Sequence, residues 1–201
     1  MESKGENNMA AFFVSCTGQI EKAELGDLDD LYCRYAFHFG PDWTIVAGID
    51  TGVSQIAKNS GCGYDSSVVW NFPIDAKFKS TNPFGWPRVA VSVAGVDFLG
   101  RDVIRGYGSA LIPVTPGSHI VDITVYTPQS SSLITQWASW FSGNPPEFFD
   151  SKFVCQSDGR EVTRVRTTGV VRLKLNVSTK GMEAVGYSTK PSSRKSAAIS
   201  S

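Results

Sequence analysis

The sequence predicts an all-β fold, an antiparallel sandwich of about eight short strands with one amphipathic helix in a connection. Three observations predict it. Apolar and polar residues alternate with period two along most of the middle of the chain. Glycine- and proline-containing turn signals separate the alternating runs. One stretch alone carries helical spacing.

The elements follow in order. A first strand is expected over residues 12–20. In the next, Leu31, Cys33, Tyr35, Phe37 and Phe39 share one face, against Tyr32, Arg34, Ala36 and His38 on the other. Trp70, Phe72, Ile74, Ala76 and Phe78 then alternate with Asn71, Asp75, Lys77 and Lys79. Val89, Val91 and Val93 alternate with Ala90 and Ser92, and Val121, Ile123 and Val125 with Asp122 and Thr124. Val171, Leu173, Leu175 and Val177 alternate with Arg172, Lys174 and Asn176. Such alternation gives a strand one buried and one wet face. Further strands are expected over 104–112 and 162–166. Turns fall at Gly40-Pro41-Asp42, Gly61-Cys62-Gly63, Asn82-Pro83, Pro116-Gly117 and Asp158-Gly159. Leu133, Ile134, Trp137, Ala138 and Phe141 recur at helical spacing, behind a serine N-cap and before Gly143.

The connection "FKSTNPFGWPRVAVSV" is read as a rigid turn. Pro83 and Pro87 fix φ, and Gly85 permits a conformation that other residues resist. Phe84 and Trp86 either plug the end of the sandwich, the commoner use, or project as a hydrophobic knob. Trp137, Trp140 and Phe141 crowd one turn of the expected helix, where an exposed Trp140 would anchor a partner.

The chain of 201 residues suits one domain. Its 19 basic residues match 19 acidic ones, which argues against bulk, sequence-blind nucleic-acid binding and leaves room for a local basic patch. The ends, 1–9 and 187–201, are polar and expected to be disordered, the second mildly basic, leaving 10–186 as the domain. Four cysteines without a C-x-x-C pair, and two histidines, fit neither a zinc site nor a disulfide scaffold. A reducing compartment is expected. The N-terminal apolar run is too short for a signal peptide, and no stretch approaches a membrane span, so a soluble intracellular protein is expected.

Catalytic chemistry finds little support. His38 lies on an outward strand face and His119 follows a Pro-Gly-Ser turn, with no nucleophile elbow or metalloprotease motif beside them. Asp27, Asp29 and Asp30 share one loop, and Asp97 and Asp102 another. Such loops could hold calcium, which takes six to eight oxygens, but turn-forming aspartates explain them more simply. Lys77 and Lys79 point outward from one strand, Arg172 and Lys174 from another. They are candidates for contact with an anionic membrane, beside the simpler reading of a solvated face.

Several long blocks occur in order: "DDLYCRYAFHFGPDW", "VVWNFPIDAKFKSTNPFGWPRVAVSV", "DFLGRDVIRGYG", "IPVTPGSH", "WASWFSGNPPEFFD" and "GREVTRVRTTGVV". Together they resemble the B9-domain family from about Phe12 to Tyr187. The resemblance implies a C2-like β-sandwich, no enzymatic activity and no cofactor. It implies a subunit of the tectonic-like, or Meckel-syndrome, complex of the ciliary transition zone, which limits diffusion into the cilium and supports its assembly. The implied location is cytoplasmic, at the basal body and cilium base. The implied partners are two other B9-domain paralogues, then tectonics and coiled-coil transition-zone proteins. The C2 relationship also implies an alternative role in phospholipid contact, calcium-independent given the sparse acidic loops.

Overall fold

A computed structural model describes residues 11–61, 66–96, 102–128 and 165–187. The expected helix with Trp137, Trp140 and Phe141, the loop residue Asp97, and the ends 1–9 and 188–201 lie outside them.

Alternation becomes strand where expected. The strands are β1 Phe12–Glu24, β2 Leu31–His38, β3 Trp43–Gly48, β4 Thr51–Val53, β5 Val68–Ser80, β6 Arg88–Val96, β7 Asp102–Leu111, β8 Gly117–Pro128 and β9 Val165–Lys180. β5 shows the principle: Val68, Trp70, Ile74, Ala76 and Phe78 are buried, while Val69, Asn71, Asp75, Lys77 and Lys79 are exposed. Val165 and Arg166 open the long β9 rather than forming a strand of their own.

The nine strands form one antiparallel sheet in the order β3-β5-β1-β9-β8-β7-β6-β2-β4. It folds over on itself. β5 and β2 lie near opposite ends of that order, yet the Phe37 and Phe78 rings meet at 5.3 Å and Trp70 Nε1–H donates to the Leu31 carbonyl at 3.0 Å. The fold line is the β7–β8 seam, where the one paired position is Tyr107 with Tyr126 and the two rings pack at 4.6 Å. The result is two facing layers, β3-β5-β1-β9-β8 and β7-β6-β2-β4, around one apolar core. This is the expected sandwich, with its halves joined as a single curled sheet.

On the side away from that seam the chain crosses between layers twice. β3 pairs with β5, and the next residues pass over so that β4 pairs with β2. Further on, Ala57 exchanges two hydrogen bonds with Leu31, Asn59 bridges to Val68, and Gln55 Nε2–H donates to the Trp70 carbonyl at 2.8 Å. Both β3 and β4 go unmarked in the sequence pattern, being only 6 and 3 residues long.

Two local packings matter later. Gly18 sits at an inward position of β1, paired with Leu175 of β9. A Cβ there would lie 2.0 Å from the Lys174 carbonyl oxygen, so only glycine lets the two strands approach this closely. β6 departs from the expected half-wet face. Ala90, Ser92 and Ala94 are buried along with the valines. They are small, and the larger Tyr32, Arg34 and Tyr107 stand opposite Ala94 and Ser92 on the adjoining strands. Among the described residues no helix is long and apolar enough to cross a membrane.

Candidate interaction surface

The β5–β6 connection separates its two aromatics. Trp86 packs edge-on against Trp43 at 5.1 Å, and its Nε1–H donates to the Ile112 carbonyl at 2.9 Å. It closes the end of the sandwich, as plugging requires. Phe84 does the opposite: its side chain is 75% exposed. Its backbone is nevertheless held on both sides. The Phe84 N–H donates to Asn82 Oδ1 at 3.0 Å, and the Phe84 carbonyl accepts from Trp43 Nε1–H at 2.8 Å. Gly40 N–H donates to the Gly85 carbonyl at 2.8 Å. Gly85 has φ +71, and a Cβ on it would stand 2.5 Å from Gly40 Cα. The glycine therefore serves both the left-handed turn and the close approach of two loops.

The outward face of the layer β5-β1-β9-β8 divides electrostatically. Arg172 grips Asp122 of β8 with both carboxylate oxygens, Nε–H to Oδ1 at 2.7 Å and an Nη2–H to Oδ2 at 2.9 Å. Lys174 pairs with Glu21. At the other end, Phe13 of β1 stands between Lys79 of β5 and Lys180 of β9, directly opposite both, with Lys77 one row further along. Phe13 is 40% exposed. Among the described residues no carboxylate pairs with Lys77, Lys79 or Lys180. The four basic residues that are candidates for membrane contact thus fall into a neutralised pair, Arg172 and Lys174, and an unmatched pair, Lys77 and Lys79. Phe13 and Lys180 join the unmatched one, a grouping visible only in the strand register.

The Arg172 bond holds the Asp122 carboxyl below the usual carboxylate range and raises the guanidinium further. A pKa lowered on folding adds stability above the unfolded value and loses it as pH falls through the folded one. The pair is exposed, so its contribution is small. Asp122→Asn is expected to be slightly less stable than the parent at neutral pH in urea melts. The gap should close as the pH falls through the lowered pKa of Asp122; a gap that persists once that carboxyl is protonated would assign it to packing and not to charge.

The acidic loop before β2 is tied by backbone amides, one from the β4–β5 connection and one of its own. Asp29 Oδ1 accepts from Asn59 N–H at 2.7 Å and Asp30 N–H at 3.0 Å, which lowers the Asp29 pKa, the Asn59 bond contributing most. Asp27 is exposed and Asp30 adopts φ +51. Asp102 opens β7 beside Tyr32, whose hydroxyl pKa is raised first by burial and then by the Asp102 charge. Among the described residues no three His, Cys, Asp or Glu side chains gather closely enough to hold a metal ion.

The sequence model of a family described as "Ciliary basal body-associated, B9 protein" matches residues 14–178. The chain belongs to the B9 family. This B9 chain is 48% identical over 190 residues to B9 domain-containing protein 1 of Xenopus laevis, covering 94% of this chain and 96% of the relative. The Mus musculus protein of that name is 49% identical over 182 residues, covering 90% and 89%. B9 domain-containing protein 2 of Bos taurus is 27% identical over 173 residues, covering 86% and 97%. Among solved structures, a C2 domain of plant extended synaptotagmin 1 aligns over 86% of this chain and 97% of its own, at TM-score 0.38 and 10% identity, too loosely to support an argument.

The remaining reactive groups of the B9 chain are scattered. His38 lies on β2 and His119 on β8, in opposite layers. A His119 ring N–H donates to the Thr115 carbonyl at 2.8 Å, pinning the turn into β8. Cys16 and Cys33 are buried free thiols. Burial and, for Cys16, the charge of Asp75 raise their pKa values, that of Cys16 to about 12, so neither is a nucleophile at neutral pH.

Proposed function

We propose that this B9 chain is a non-enzymatic structural subunit of the tectonic-like complex at the ciliary transition zone. On the cytoplasmic side of the cilium base it contributes to the diffusion barrier and to cilium assembly. Its direct partners are the two other B9-domain paralogues, with tectonics and coiled-coil proteins beyond them. The observation that carries this role is the family match across residues 14–178, which spans both layers of the sheet. Exposed side chains on a fixed β-framework suit an assembly part, which presents contacts without moving.

One observation favours a second role, at an anionic membrane. Lys77, Lys79 and Lys180 surround the half-exposed Phe13 without acidic partners among the described residues. Each basic group near such a surface adds about 1 kcal/mol. Arg172 and Lys174 are matched by Asp122 and Glu21 and drop out of that sum.

The experiment that separates the two mixes the purified chain with its paralogues and, in parallel, with phosphatidylserine vesicles. A stable complex with a paralogue is expected. A chain that stays monomeric beside both paralogues would overturn the assembly role. Vesicle sedimentation that is lost on reversing Lys77, Lys79 and Lys180 together, and kept on reversing Arg172 and Lys174, would establish the membrane role; no sedimentation would remove it.

A further inference from the structure

The end of the sandwich that carries Phe84 is organised in a way that burial of the core does not require. Phe84, Leu111 and Val114 are exposed there, at 75%, 51% and 50%. The loops that carry them are strapped together. Trp86 on one donates to the Ile112 carbonyl on the other at 2.9 Å, and Ile112 N–H donates to the Pro87 carbonyl at 3.0 Å. The tip is tied a second time at its own base. Asn82 N–H donates to Ser80 Oγ at 3.1 Å, and Ser80 Oγ–H lies within reach of the Asn82 carbonyl at 2.7 Å. Asn82 Oδ1 accepts from Phe84 N–H at 3.0 Å. A lone exposed phenylalanine needs no explanation. One whose backbone N–H and carbonyl are both bound, between two prolines and against a glycine contact, has already lost the loop freedom that docking would otherwise remove.

The charge beside it indicates what docks. The same Asn82 that caps Phe84 also donates from Nδ2–H to Asp42 Oδ2 at 3.2 Å, so an exposed carboxylate is fixed at the foot of the ring. A protein surface can match both features, an apolar pocket of aryl size with a basic side chain on its rim.

Resting on the assembly role, we infer that Phe84 is the anchor of a protein-docking surface, and that its occupant is a B9 paralogue presenting an apolar pocket edged by lysine or arginine. Leu111 and Val114 complete the apolar footprint, and Asp42 sets its orientation.

The test uses the full-length chain titrated with each purified paralogue by calorimetry at two salt concentrations. Phe84→Ala is expected to weaken binding tenfold or more with the melting temperature unchanged, because the ring is exposed. Asp42→Asn can still accept the Asn82 hydrogen bond while losing the charge. It is expected to weaken binding several-fold and to flatten the salt dependence. If the parent binds and both variants bind as tightly, the docking surface is wrong and the assembly role stands. If the parent binds neither paralogue, both fall. Loss of vesicle binding or of self-association in Phe84→Ala, with paralogue binding intact, would overturn the occupant assigned here.

Discussion

Trp43→Ala is expected to lower the unfolding free energy by about 3–5 kcal/mol. Trp43 is 2% exposed, and three aromatic rings meet it edge-on: Phe12 at 5.3 Å, Phe78 at 6.5 Å and Trp86 at 5.1 Å. Truncation leaves a cavity where the two layers, the β2–β3 turn and the β5–β6 loop converge. It also strands the Phe84 carbonyl, which loses its indole donor. The variant should therefore release the exposed loop as well as weaken the core. Urea unfolding gives the first effect, and hydrogen exchange or limited proteolysis at residues 81–87 the second. Trp43→Phe, which keeps a ring but not the donor, should recover most of the stability and leave the loop loose. A loop as protected in Trp43→Phe as in the parent would show that the indole bond does not hold Phe84.

Gly18→Ala is expected to cost about 3–5 kcal/mol, from overpacking plus backbone strain. The new Cβ would sit 2.0 Å from the Lys174 carbonyl oxygen and 2.9 Å from Leu175 Cα, both main chain, so no rotamer change relieves it. β1 and β9 must part, and they are central strands of their layer. Gly26→Ala is the control. Its φ is +68 but nothing lies within 4 Å, so only the left-handed penalty of about 1 kcal/mol remains. Melting temperatures measure both. Similar shifts for the two variants would mean that conformation, and not the close approach of the strands, explains Gly18.

The sequence made the layers legible because burial on one face of a strand leaves a period-two record, complete in β5 and in the Val171–Val177 stretch of β9. The record fails where strands are short or carry small residues. β3 and β4 are too brief to repeat a pattern. Ala90, Ser92 and Ala94 look solvent-facing by type but are overshadowed by larger neighbours. Surface chemistry was legible by strand face and not by partner. Arg172 and Lys174 face outward as the alternation implied, but Asp122 and Glu21 reach them from neighbouring strands about 50 and 150 residues away. Phe13 comes between Lys79 and Lys180 by the same kind of long-range register. Phe84 and Trp86 could not be told apart in sequence, because their different fates depend on where Trp43 and Ile112 arrive.

The last long strand lies between the first strand and β8. During synthesis the N-terminal strand therefore leaves the ribosome well before one of its two neighbours exists. A chain stopped short of Val165 would keep neither the β1–β9 nor the β8–β9 pairing, so late truncations should be as damaging as early ones.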